Sequence, residues 1–234
     1  MLRKKWLITI VLITAGHMLS EAQVTRTEGM LDLSNDMSHT LVAEIPFERK
    51  PDKGTHYFFD DWHQGQIEMI DGRSVKSPLM RFDVENNNLE IRFGGKVRVL
   101  SGRKVKEFFL ISGDRKTYFI DAGSYSIENA PMYGFFEVLV NGKNKLFSRT
   151  SITIKQANYN VALDMGSEQN EIVKVETLYM FADDQLHKLT KSKKKTLSLF
   201  DSKSKQVEQF SKTKRLGYKK KEDLIEIVNY YNTI

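Results

Sequence analysis

A chain of 234 residues, 28% of them charged and 11% aromatic, is long enough to bury a core of its own. It has no cysteine, which excludes a disulfide scaffold, a thiol nucleophile and a lipid-modified cysteine at an export cleavage site. The net charge of +6 is unevenly spread: thirteen Lys/Arg against Asp201 and Glu208 give residues 188–221 a charge of +11. The chain beyond residue 22 totals +4, so the rest of it carries −7.

Arg3, Lys4 and Lys5 open the sequence, an apolar run follows from Trp6 to Ala15, and Ser20-Glu21-Ala22 places small residues ahead of Gln23. This three-part pattern predicts a secretory signal peptide over 1–22, removed before Gln23. The apolar run is shorter than the roughly 20 residues that span a bilayer, and no later stretch is long enough. The expected product is periplasmic or extracellular, without a transmembrane span.

Residues 23–40 are polar and carry no clear periodicity. Leu41 to Phe47 reads as a strand ending at Pro46, and residues 48–55, with Pro51 and Gly54, as a loop. A ladder of short β-rich runs then begins with Tyr57-Phe58-Phe59-Asp60-Asp61-Trp62. Gln66–Ile70 turns at Asp71-Gly72 into Ser74–Lys76, and Pro78 opens a further strand over Leu79–Val84, where a missing N–H is tolerated. Leu89–Phe93 answers it across an asparagine turn. Lys96–Leu100 alternates, with Val97 and Val99 on one face and Arg98 on the other. Val105–Ile111 and Thr117–Ile120 flank Gly113-Asp114. Tyr133–Val140 and Lys145–Ile154 flank Asn141-Gly142, a dipeptide suited to a type I′ turn. Ile172–Phe181 and Leu186–Leu189 form a last hairpin.

The period then lengthens. Leu197, Phe200, Val207 and Phe210 predict helix, with Asp201-Ser202 as cap candidates and an end near Gly217. Leu224, Ile227, Val228 and Tyr231 follow the i, i+3, i+4, i+7 spacing of one buried face, with Glu222 and Asp223 in the first turn. The predicted class is α+β: an antiparallel meander of about ten strands over residues 23–190, then two or three short helices in a basic subdomain over 191–234.

Several of these segments together resemble a known group. They are Tyr57 to Gly65, Asp71-Gly72, Leu79 to Phe82, Phe136 to Gly142 and the closing Asp223 to Asn232. The chain resembles uncharacterised exported proteins of Gram-negative bacteria of the Bacteroidota. The resemblance implies export and a mixed β-rich fold, and it carries no activity or catalytic residue with it.

Lys193, Lys194, Lys195, Lys212, Lys214, Arg215, Lys219, Lys220 and Lys221 form a candidate anion-binding surface. For an exported protein the expected partners are envelope components, an acidic glycan or a lipid surface, rather than nucleic acid. The alternative is a tail docked on the protein's own acidic body. The adjacent pairs Phe108/Phe109 and Phe135/Phe136 cannot all face one side of a sheet, so either both faces are covered or an apolar ligand site is present. His56, Asp60, Asp61 and His63 have metal-ligand chemistry, but alternation splits them between two faces. Asp60, Asp61, Asp83, Glu85 and Glu90 are the carboxylates open to a glycosidase. No nucleophile elbow or phosphate loop is present, and no cofactor is anticipated. The leading expectation is a non-enzymatic envelope binding or structural protein. Its alternatives are a carrier of a lipid or other apolar ligand, and a hydrolase.

Overall fold

A computed structural model describes residues 42–43, 52–158, 162–167 and 169–234. The expected signal peptide over 1–22, the polar stretch 23–40, most of the expected 41–47 strand and the start of the following loop lie outside them. The α+β class is observed. Eleven strands form one antiparallel sheet: β1 (Val42–Ala43), β2 (His63–Met69), β3 (Ser74–Asp83), β4 (Asn88–Phe93), β5 (Lys96–Ser101), β6 (Val105–Ser112), β7 (Arg115–Asp121), β10 (Phe135–Val140), β11 (Lys145–Lys155), β12 (Glu171–Ala182) and β13 (Gln185–Lys188). Their spatial order is β1-β5-β4-β3-β2-β6-β7-β10-β11-β12-β13. The small hairpin β8 (Ser126–Ile127) and β9 (Ala130–Pro131) stands apart from it. The chain ends in α1 (Lys193–Leu197), a 3-10 stretch Ser198–Lys203, α2 (Ser204–Lys214) and α3 (Lys221–Tyr231).

The sheet curls. The Phe82 ring of β3 lies 5.5 Å from the Phe135 ring of β10, centroid to centroid, with β2, β6 and β7 between them. On a flat sheet four strand spacings separate them by about 19 Å. Inside the curl, Phe108 stacks on Phe119 at 4.6 Å, and Ile67, Met80, Leu89, Ile91 and Leu110 complete the buried cluster. Residues 52–62 close it. Lys53 exchanges backbone hydrogen bonds with Asn170 and Ile172 at the start of β12, while Phe58 N–H donates to Phe82 O at the end of β3. Phe58 then packs edge-on against Phe119.

Beyond β10 the same concave face is covered by the helices. Val140, Leu146, Met180 and Ala182 meet Phe200, Val207, Leu224, Ile227 and Val228 in a second cluster. The opposite, convex face of β10–β13 is covered by residues 122–132: Tyr125, Ile127 and Met132 pack on Phe136, Phe147 and Tyr179. Alternation therefore feeds two cores from one set of strands, and the carboxy-terminal helices share their core with the sheet.

Three local expectations change. Ser74–Lys76 and Leu79–Val84 are one strand, β3, with Pro78 at an irregularity in its pairing with β2. A bulge is where a missing ladder N–H costs least. Opposite it, a Cβ on Gly65 would lie 2.0 Å from Phe109 O, so only glycine lets β2 and β6 approach. Val97 and Arg98 alternate as expected, with Arg98 and Leu100 on the buried side of β5. Asn141-Gly142 is not a type I′ turn, since neither residue has positive φ; the four-residue connection 141–144 is held from outside by the carboxy terminus. Among the described residues, the two-residue turns with positive φ throughout are Gly94-Gly95, Glu128-Asn129 and Asp183-Asp184. In the tail, α2 ends at Arg215 in the left-handed conformation rather than near Gly217, and the kink falls on Asp201 (φ 44°).

Candidate functional site

The basic segment forms a surface because its apolar positions fix the helices. Ser192 caps α1, accepting from the Lys195 N–H at 3.4 Å, and Phe200, Val207 and Leu224 turn their backs to solvent. Glu208 of α2 gathers the lysines, with Lys193 Nζ at 2.8 Å and Lys212 Nζ at 3.2 Å. These ammonium groups hold the Glu208 carboxyl below its usual range; the Glu208 hydrogen bond raises Lys193 in return. Lys193 also lies 5.8 Å from the Tyr218 ring centroid. The start of α1, the last turn of α2 and the loop before α3 thus meet in one place. Around it, Lys194, Lys195, Lys214, Arg215, Lys219 and Lys220 are exposed and have no ion-pair partner among the described residues.

Lys221 points the other way. Its ammonium lies 2.6 Å from Glu176 Oε1 and 3.6 Å from Glu137 Oε2, beneath the first turn of α3. Glu137 is 5% exposed and sits on the concave face between the aromatic and helical clusters, with Phe119 as its cross-strand neighbour. Arg115 approaches its other oxygen at 3.6 Å, and Ser148 donates to Glu176 at 2.7 Å. Both ionic contacts to Glu137 are longer than hydrogen bonds, so Oε2 is buried without one. Burial drives the Glu137 pKa upward; Lys221 opposes this, Glu176 reinforces it, and the net direction is up. Burial works against charge on Lys221, but its hydrogen bond to Glu176 and the fields of both carboxylates hold its pKa above the ordinary value. This is an electrostatic latch between tail and body. Of the nine basic candidates, Lys221 fulfils the self-docking alternative, and Lys193 and Lys212 are engaged within the tail.

The four phenylalanines do not share a pocket. Phe108 and Phe135 meet inside the curl at 4.9 Å, and Phe136 is buried on the convex face, stacked on Phe147 at 5.1 Å. Only Phe109 reaches a surface. It lies on the convex side with the half-exposed Tyr118, beside a shallow depression of about 520 Å³ walled by Ile120, Val138 and Leu139. Both faces are therefore covered over β10–β13 and one face is open over β6 and β7.

The remaining candidates have separate structural partners. His56 lies 3.3 Å from Glu85, His63 Nδ1 lies 3.0 Å from Ile111 O, and the exposed Asp60 meets Lys174 at 3.3 Å. Asp83 is buried and accepts from the backbone N–H groups of Glu85 and Asn86, fixing the asparagine turn. Glu90 accepts from Tyr57 and Arg81 at 2.9 and 2.6 Å. Arg81 lies over the rings of Tyr57 and Trp62, and Arg92 lies over Trp62 as well. Trp62 thus serves as a platform for two guanidinium groups rather than a lid on the core. Glu137 was not singled out by sequence, because a charged residue between Phe136 and Val138 reads as the solvent side of a strand.

Compared with family models, curated proteins and solved structures, the chain matches none. Among the described residues, no helix is long and apolar enough to cross a membrane.

Proposed function

We propose that this is an exported, non-enzymatic cell-envelope protein whose carboxy-terminal lysine surface binds a polyanionic envelope component, an acidic glycan or an anionic lipid face. One observation carries the reading. Six cations stand exposed around the Lys193–Glu208–Lys212 chain with no ion-pair partner among the described residues, on helices latched to the sheet by Lys221. Fixed like charges in one patch raise the local potential and attract polyanions. The export half of the reading rests on the amino-terminal pattern of residues 1–22.

The test is binding of the chain from Gln23 onward to vesicles containing phosphatidylglycerol, and to an immobilised acidic glycan, at low and high salt. A lysine near an anionic surface contributes about 1 kcal/mol, so Lys194, Lys195, Lys219 and Lys220 changed together to Ser weaken binding roughly a hundredfold or more. Binding that ignores both salt and these changes overturns the reading. Which surface binds separates lipid from glycan. The carrier alternative has its own support in the depression beside Phe109 and Tyr118. A co-purifying lipid seen by native mass spectrometry decides for it.

A further inference from the structure

A second surface, remote in sequence from the lysines, has the form of a ligand site. At the open end of the curl, a cleft of about 770 Å³ lies between the asparagine turn, Arg103, Asp121, the 132–135 segment and residues 149–152 of β11. Its size falls within the roughly 300–1,000 Å³ usual for ligand pockets. We infer that this cleft binds a neutral oligosaccharide.

The argument begins with what folding leaves unfinished there. Asn87 holds a left-handed conformation (φ 53°), which a non-glycine residue adopts at a cost, and its carbonyl accepts from Gly102 N–H at 3.1 Å. Its side-chain Oδ1 is buried without a hydrogen-bond partner. Such an acceptor is rare in a finished fold; shielded from solvent, it adds to the cost of the left-handed turn, and strain of this kind gathers at binding sites. Gly134 keeps this spot tight, because a Cβ there would stand 3.3 Å from Asn87 Oδ1 and 4.0 Å from Arg149 Nη2.

The chemistry of the lining selects the ligand. Asn86 and Asn87 of the asparagine turn, Arg103, Asp121 and Arg149 come from four segments, and all carry planar groups that pair with two adjacent hydroxyls at once. Arg103 and Arg149 line the cleft together with Asp121 and Glu85, so the formal charges cancel and an uncharged ligand fits better than a phosphate. Tyr133 is 73% exposed at the rim, a free aromatic face of the kind that stacks on the C–H side of a pyranose ring. Phe82 and Phe135, each 4% exposed, form a closed floor beneath it.

The test is an NMR titration of the intact protein with neutral tetrasaccharides linked through β-1,4 glucose, α-1,4 glucose and β-1,4 N-acetylglucosamine. At least one is expected to bind saturably and shift the amides of Asn86–Asn88 and Tyr133–Phe135. Tyr133→Ala and Arg149→Ala each weaken that binding tenfold or more and leave the melting temperature of the exposed Tyr133 variant unchanged. The fourfold Lys→Ser variant binds as well as the parent, which keeps this result separate from the lysine-surface reading. Absence of binding to all three sugars overturns the inference, as does binding that survives both cleft variants or shifts a different surface.

Discussion

Asn232, two residues before Ile234, holds Asn144 on both sides of its peptide unit. Its Oδ1 accepts from Asn144 N–H at 2.9 Å and from the Asn144 side chain at 3.1 Å, while its Nδ2 donates to Asn144 O at 2.9 Å. A side chain thereby supplies the pairing that a tight hairpin turn would supply itself. Gly142 makes room for it, since a Cβ there would stand 2.5 Å from Asn232 Nδ2.

Asn232→Ala is expected to cost about 2 kcal/mol, from three hydrogen bonds at about 0.5–1.5 kcal/mol each. Gly142→Ala acts by pushing the same amide aside, so it costs a similar amount. Urea unfolding of both singles and the double variant checks the coupling. The double variant should be little worse than either single, whereas independent sites would add.

Glu137 gives stability a pH dependence of definite sign. Its folded pKa is raised, mainly by burial, so its favourable contribution is complete below the ordinary carboxyl pKa of 4.5 and is lost as pH rises through the raised value. Glu137→Gln removes that loss. Thermal melts from pH 4 to pH 8 should show the variant gaining on the parent as pH increases. Lys221→Met works in the opposite direction, stranding two carboxylates, and should destabilise by about 2 kcal/mol at pH 7.

Tyr57 makes the alkaline counterpart. Burial, followed by its hydrogen bond to Glu90, pushes its pKa up to about 12. The stabilisation is present below pH 10 and is lost as pH climbs towards 12. Tyr57→Phe leaves one Glu90 oxygen without its donor and costs about 1–2 kcal/mol at neutral pH. Denaturation followed from pH 8 to pH 12 should show a smaller fall in stability for this variant than for the parent.

Phe200 is fully buried at the centre of the helical cluster, 4.9 Å from the Tyr231 ring. Phe200→Ala should cost about 3–5 kcal/mol, the usual range for an emptied aromatic site. Hydrogen exchange should locate the loss in α1–α3 and β13 first, with the aromatic curl protected longer.

The sheet was largely legible because its signals are local. Val-x-Val alternation and the paired glycines at 94 and 95 set strands and turns within a few residues, and Leu224, Ile227 and Val228 announce their buried face by spacing alone. Relations between distant residues were not legible. Phe82 meets Phe135 only because the sheet curls, and no periodicity encodes curvature. Lys219, Lys220 and Lys221 are identical as letters; helix α3 starts at the third and turns that one inward. Asn141-Gly142 carried the strongest turn signal in the chain, and a residue ninety positions later displaced it.

The two closures also set the order of events during synthesis. The segment that seals the curl bonds to a strand 116 positions downstream, at Lys174 and Phe58, and the β10–β11 connection waits for a partner 88 positions on. Such separations slow folding, because loop entropy is spent before the contact is made. A nascent chain can zip neighbouring hairpins as they emerge, but the curl stays unsealed until residues 170–174 have left the ribosome, and the β10–β11 connection until Asn232 has. The aromatic curl is therefore complete in sequence long before the strand that seals it has been made.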